Sequence, residues 1–165
     1  MTTTPHAETL IKAPPARPPR ELLSSPTFLL KHLTWEMKDQ KLAAFEATGL
    51  NPMHYAVLAL LDEGSRETQA TIADALGYDR GYLVGLLDEL EDRGLIERRR
   101  DPDDRRRHLV KLTPGGKEQL TKLRSVLKRF EKEFLAPLDA QERETLLMLL
   151  RRVAAQHDER FANGS

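Results

Sequence analysis

Between Asp79 and Thr113 the hydrophobic period changes once, from helical to alternating, and that change limits what the chain can fold into. Leu83, Leu86, Leu87 and Leu90 recur at i, i+3, i+4 and i+7, which is the apolar stripe of a short helix that must pack on something. Asp79 can accept the free amide hydrogens of the first turn, and Gly94 suits the left-handed position after the last. Gly81, Val84, Gly85 and Asp88 point the other way. After Gly94, Leu95 to Arg100 and His108 to Leu112 read as two short strands joined by a charged loop from Asp101 to Arg107. From Arg98 to Arg107 there are six arginines against three aspartates, so the expected product is a helix running into a hairpin with a basic tip.

The remaining helices are placed by their caps. Ser25 before Pro26 starts a helix predicted to run to about Gly49. Its Phe28, Leu29, Leu30, Leu33, Trp35, Met37, Leu42 and Phe45 fit no single stripe, so more than one of its faces is expected to be covered. Asn51 before Pro52 starts a second helix with Met53, Ala56, Val57, Leu60 and Leu61 inward, ended by Gly64. Thr68 caps a third, Gln69 to Leu76, with Ile72, Ala73 and Leu76 inward and Gly77 at its end. This short helix, a tight turn and the leucine-striped helix make a helix-turn-helix unit, whose second helix can enter a DNA major groove; the hairpin makes it winged. Beyond the wing, Thr113 before Pro114 caps a helix with Leu120, Leu123, Leu127, Phe130 and Phe134 in heptad spacing, the mark of a helix that packs along another. Pro137 breaks it. Asp139 and Glu142 form the capping box of a last helix with Leu146, Leu149, Leu150 and Val153 inward. Residues 158–165 are expected to fray, with Phe161 a late anchor.

With 165 residues, 39% of them hydrophobic, the chain can build one domain with a sizeable core. Residues 1–24 are set apart as a disordered, Pro-rich tail, since six of the ten prolines precede residue 27. The absence of cysteine removes disulfides and thiolate chemistry. There is no apolar run of the ~20 residues a membrane span needs and no secretory leader pattern, so a cytoplasmic protein is expected. The 26 basic and 26 acidic residues cancel, so any nucleic-acid reading rests on where the charge lies.

Other chemistry is poorly supported. Asp101, Asp103 and Asp104 resemble the start of a calcium loop, but Arg106 and Leu112 stand where glycine and glutamate belong. Gly115-Gly116-Lys117 lacks the rest of a phosphate loop and reads as the first turn of a helix. His6, His32, His54, His108 and His157 have no metal-ligand spacing. No nucleophile, base and orienting residue can be grouped, so neither an enzyme nor a cofactor is expected.

Thr68-Gln69-Ala70-Thr71-Ile72-Ala73, Gly77-Tyr78-Asp79-Arg80, Leu90-Glu91-Asp92-Arg93-Gly94-Leu95-Ile96-Glu97-Arg98, and Asp101-Pro102-Asp103-Asp104-Arg105-Arg106 followed by Val110-Lys111-Leu112-Thr113 resemble the MarR family of bacterial transcriptional regulators. The resemblance spans about Ser25 to Val153. It implies a mainly α fold with a β-hairpin wing over residues 25–157. The DNA-binding part would be about 51–113, and dimerisation helices about 25–49 and 114–157 would intertwine in a homodimer on a pseudo-palindromic operator in double-stranded DNA. Repression released by a small molecule bound between the dimer helices and the winged unit is the implied mode of action. The residues expected at DNA are Thr68, Gln69, Arg80, Gly81, Tyr82, Val84 and Gly85, with Arg99, Asp104, Arg105 and Arg106 on the wing. There Asp104 would orient Arg106 into the minor groove. His32, Trp35, His54 and Tyr55 offer an aromatic-lined pocket for a small aromatic effector. The sequence departs from the family pattern in two places. Thr71 stands where glutamate is usual, which predicts a weaker capping box. Gly81, Tyr82, Val84 and Gly85 replace hydroxyls and an arginine, which predicts less hydrogen-bonded base readout. A winged-helix protein that binds a protein partner rather than DNA is the alternative, and steep loss of affinity with salt separates the two.

Overall fold

The computed structural model describes residues 17–64, 67–102, 104 and 107–161. Two compact units divide the chain, residues 1–36 and 37–165. The first contains α1 (Arg20–Leu23), a single helical turn where an extended tail was expected, and the opening turns of α2 (Pro26–Glu46). The part of that expectation covering residues 1–16 lies outside the described residues. Ser25 caps α2 as its spacing to Pro26 predicts, its Oγ accepting from the Phe28 amide at 3.3 Å. Covering of several α2 faces is not found among the described residues: Phe45 is the one residue of α2 buried there, and Leu29, Leu30, Leu33 and Trp35 are exposed.

In the second unit come α3 (Pro52–Asp62), α4 (Gln69–Leu76), α5 (Arg80–Asp92), β1 (Ile96–Arg100), β2 (His108–Leu112), α6 (Pro114–Phe134), α7 (Ala140–His157) and a closing 3-10 turn, Glu159–Phe161. Phe45, Val57, Leu58, Ile72, Leu83, Leu87, Leu90, Ile96, Val110, Leu120 and Leu123 form the core. It includes the whole predicted α5 stripe except Leu86, which is also buried. Packing α3 on α6, α4 on α5 and α5 on β1 closes it. Among the described residues no helix is long and apolar enough to cross a membrane.

Local chemistry explains the element ends. Asp79 Oδ1 accepts from the Tyr82 amide at 3.0 Å. At the other end of α5, Gly94 has φ 67°. Its amide donates to Glu91 O at 2.8 Å and that of Leu95 to Leu90 O at 2.9 Å, the paired bonds of a Schellman closure. The capping box of α4 is intact, contrary to the weakening predicted from Thr71. A threonine hydroxyl is long enough to accept from the Thr68 amide, at 2.8 Å, and the Glu67 carboxylate in turn accepts from that hydroxyl.

The hairpin is antiparallel, with Ile96 opposite Leu112, Arg98 opposite Val110 and Arg100 opposite His108. A bridge between Thr68 and Leu109 adds a short third rung, with the Val110 amide donating to Glu67 O at 2.8 Å, so the entry to α4 is fastened to the wing. The far end of the hairpin is fastened too. Thr113 donates from its amide to Leu95 O at 3.1 Å and from Oγ1 to Gly94 O at 2.7 Å. Gly116 lies against the same loop so closely that a Cβ there would stand 2.0 Å from Leu95 O; the residue is the close-approach glycine of the fold.

The outer helices are less covered. Leu120, Leu123 and Phe130 of α6 are buried, and Phe130 stacks on Phe134 with centroids 5.6 Å apart. The α7 helix keeps its predicted cap, Glu142 amide to Asp139 Oδ1 at 2.9 Å, but buries no residue. Its expected inner face is therefore open in a single chain: Leu149 is 47%, Leu150 41% and Val153 55% exposed. Phe161, expected as a late anchor, is exposed as well. The anchor is Arg160, whose Nη1 donates to Asp74 O at 2.8 Å and Ala75 O at 3.2 Å, the carbonyls left open at the end of α4.

Candidate nucleic-acid interface

Fastening the start of α4 to β2 and packing α4 on α5 brings three elements to one concavity. A cleft of about 330 Å³ is lined by Thr68, Gln69 and Ala70 from α4 and its cap, Arg80 and Val84 from α5, and Arg107 and His108 at the return of the wing. Four residues expected at DNA thus meet there: Thr68, Gln69, Arg80 and Val84. Thr68 itself is buried and holds the capping box, so its side chain builds the cleft and does not project from it. Gly81, Tyr82 and Gly85 lie on the exposed side of α5. The Tyr82 ring is fixed edge-on to Tyr78, with centroids 6.0 Å apart. Burial of Tyr78, aided by Tyr82, raises its phenol above the ordinary value.

Charge around the cleft is sorted by pairing. Arg98, counted in the sequence with the basic tip of the hairpin, turns inward. Its Nε donates to Glu91 Oε2 at 2.9 Å, its amide to Glu91 Oε1 at 3.0 Å, and its Nη2 to Asp88 Oδ1. One guanidinium therefore offsets two carboxylates on α5 and ties β1 to that helix. Arg99 is exposed and paired with Glu97 at 2.8 Å. Asp104 closes the loop through its carbonyl, which accepts from the Arg107 amide at 2.9 Å. Arg105 and Arg106, and with Arg106 the orientation expected from Asp104, lie outside the described residues, as does Asp103. Arg107, His108 and Ala70 were not singled out by sequence reasoning; the available signal was register, since His108 faces Arg100 at the strand end.

The four residues expected at an effector divide between the units. His32 and Trp35, in the first, are exposed, Trp35 to 72%. In the second, His54 is buried at 2% exposure. Its Nδ1 accepts from the Asn51 amide at 3.2 Å, completing the α3 capping box. Its Nε2 lies 3.0 Å from Glu89 Oε2 of α5, without the alignment of a hydrogen bond. Tyr55 meets Phe45 edge-on at 6.2 Å. Both are engaged in holding the unit together. Among the described residues no His, Asp or Glu cluster is arranged to hold a metal.

Comparison with known proteins agrees with this geometry. The model of the MarR family matches residues 48–107, the span from the α3 cap to the wing. A candidate transcriptional regulatory protein for the hcr operon of Thauera aromatica is 35% identical over 115 residues, 70% of this chain and 69% of that protein. Among solved structures, the transcriptional repressor CouR bound to a 23-mer DNA duplex is 33% identical, with a TM-score of 0.74 over 81% of this chain and 95% of that one. The PcaV transcriptional regulator from Streptomyces coelicolor, in complex with its natural ligand, is 30% identical with a TM-score of 0.67, over 83% and 96%.

Proposed function

Because this chain belongs to the MarR family of winged helix-turn-helix transcriptional regulators, we propose that it works as a homodimeric repressor on a pseudo-palindromic operator and is released by a small aromatic effector. The observation that carries the DNA-binding part is the cleft where α4, α5 and the wing converge, with Gln69, Arg80, Arg107 and His108 on its walls. Arg80 and Arg107 suit phosphates on either side of a groove. On the wing, Asp104 orients Arg106 into the minor groove, with Arg99 and Arg105 nearer the backbone. The segment 51–113 contacts DNA, and the helices over 25–49 and 114–157 form the dimer. Support for the dimer comes from α7, which buries nothing in one chain yet carries Leu147, Met148, Leu149, Leu150 and Val153. CouR was solved on a duplex and PcaV with a ligand, and both lend their modes of action to this reading. For the effector, exposed Trp35 is the residue to test, with His32 one helical turn away.

Duplexes retained from sheared genomic DNA by the purified chain should bind with affinity that falls steeply with salt. About five phosphate contacts correspond to a log–log slope of roughly −4.5. Arg106→Ala should flatten that slope by about one charge's share. Sedimentation should give a dimer at micromolar concentration, and Trp35→Leu should bind the operator but no longer release it. Salt-insensitive association would support a protein partner in place of DNA, and a stable folded monomer would remove the dimer.

A further inference from the structure

The reading surface of α5 is short of the groups that usually tell bases apart. Its four carboxylates all lie in the second half of the helix: Asp88 and Glu91 are bound by Arg98, Glu89 faces His54 and Asp92 is the last helical residue. Carboxylates left so far along the helix also repel phosphate, which puts the first two turns, not the last, closest to DNA. Those turns present Arg80, Gly81, Tyr82, Val84 and Gly85. Tyr82 is committed to its edge contact with Tyr78. Arg80, at the helix start, shares the cleft with Arg107 and His108, a basic surround suited to the backbone. What remains facing into the cleft from α5 is the side chain of Val84, 41% exposed. An apolar group held in a basic cleft has one partner on the edges of base pairs in the major groove, the C5-methyl of thymine.

Resting on the DNA-binding reading above, we propose that Val84 is a specificity-determining residue that reads a thymine methyl group in each half-site. Gly85 allows the approach: a Cβ there would meet nothing within 4 Å in the free protein, so the space beside Val84 is open to DNA. Operator choice then depends on an apolar contact at this position and on the side-chain amide of Gln69, which shares the cleft.

Deoxyuridine differs from thymidine only by that methyl. The full-length chain is used to select a duplex from a randomised pool, and each thymine of the selected duplex is replaced singly by deoxyuridine. At one position per half-site binding should weaken roughly three- to fivefold, the size expected for one buried methyl group. That sensitivity should vanish in Val84→Ala, whose melting temperature should stay near wild type because the side chain lies at the surface. Uniform effects within twofold at every thymine, or equal loss in wild type and Val84→Ala, would overturn the proposal while leaving the DNA-binding reading intact. Failure to enrich any duplex would overturn both.

Discussion

Two glycines in helices should respond to the same added methyl with opposite sign. At Gly85 of α5 a Cβ meets nothing within 4 Å, whereas at Gly116 of α6 it would lie 2.0 Å from Leu95 O and 2.8 Å from Leu112 Cδ1. Leucine could rotate away, but the carbonyl cannot, because it also accepts the Thr113 amide at 3.1 Å beside a buried Ile96. Overpacking of this kind costs about 1–3 kcal/mol, and displacing the carbonyl forfeits a hydrogen bond of about 0.5–1.5 kcal/mol. Helix propensity returns at most ~1 kcal/mol. Gly116→Ala should therefore lose about 0.5–3.5 kcal/mol, a fall in Tm of roughly 1–14 °C for a chain of this size. Gly85→Ala should gain ~1 kcal/mol and roughly 2–4 °C. Calorimetry at one fixed protein concentration measures both, since Tm depends on concentration for an associating chain. If Gly116→Ala melts within a degree of wild type, the close packing of α6 on the wing base is wrong.

Three further outcomes follow from the pairings. Removing the guanidinium in Arg98→Ala should cost about 1 kcal/mol, because its partners are half exposed, and should weaken DNA binding by leaving two unpaired carboxylates on α5. Adding Asp88→Asn and Glu91→Gln should recover affinity without recovering stability, and failure of that rescue would make Arg98 purely structural. Burial is the largest influence on His54 and lowers its pKa from the ordinary value of 6.5, with Glu89 opposing and Arg93 adding to it. A depressed folded pKa means that the unfolded chain takes up the proton first, so this contribution is complete above about pH 6.5 and is lost as pH falls toward the folded value. Urea midpoints between pH 7.5 and 5.5 should fall more in wild type than in His54→Gln, and parallel profiles would refute it. Arg160→Ala should speed amide exchange around the last turn of α4 while leaving the global unfolding midpoint in place; unchanged exchange there would show that the contact does not persist in solution.

The parts of the fold that were legible in the sequence are those decided within a few residues. Asn51, Thr68, Asp79, Thr113 and Asp139 each cap the helix expected of them, because a cap is a contact between neighbours. Gly77 and Gly94 both have φ 67°, as a helix-ending glycine should. The α5 stripe is buried as its spacing requires. What escaped was set across the chain. Nothing in Arg98-Arg99-Arg100 says that the first points inward; its partners lie on α5, ten and seven residues earlier, and only the hairpin register turns it toward them. His54 was read as available to a ligand because a histidine at that position of a capping box does not advertise its bond as glutamate does. Gly116 looked like an ordinary first-turn residue, since a steric contact with Leu95 leaves no pattern of its own in the letters.

 Of the residues lining the cleft, 68, 69, 80 and 84 were expected at DNA, while Arg107 and His108 join them only through the return of the wing.

The double fastening of Thr113 to Gly94 and Leu95, with Gly116 seated on the same loop, makes the start of α6 and the base of the wing one mechanical piece. Such a joint has no slack to absorb a movement of the long helix; it acts as the fulcrum of a lever. The short arm is β1, five residues from Ile96 to Arg100, or about 17 Å at ~3.4 Å per residue. Tilting α6 by about 5° would swing the far end of that arm by roughly 1.5 Å, comparable to the helix shifts that switch other regulators. Arg98 couples the same arm to α5, so the swing would carry that helix with it. Small displacements along α6 would thus arrive at the cleft as a joint movement of wing and α5, delivered through stiffness and not through flexibility.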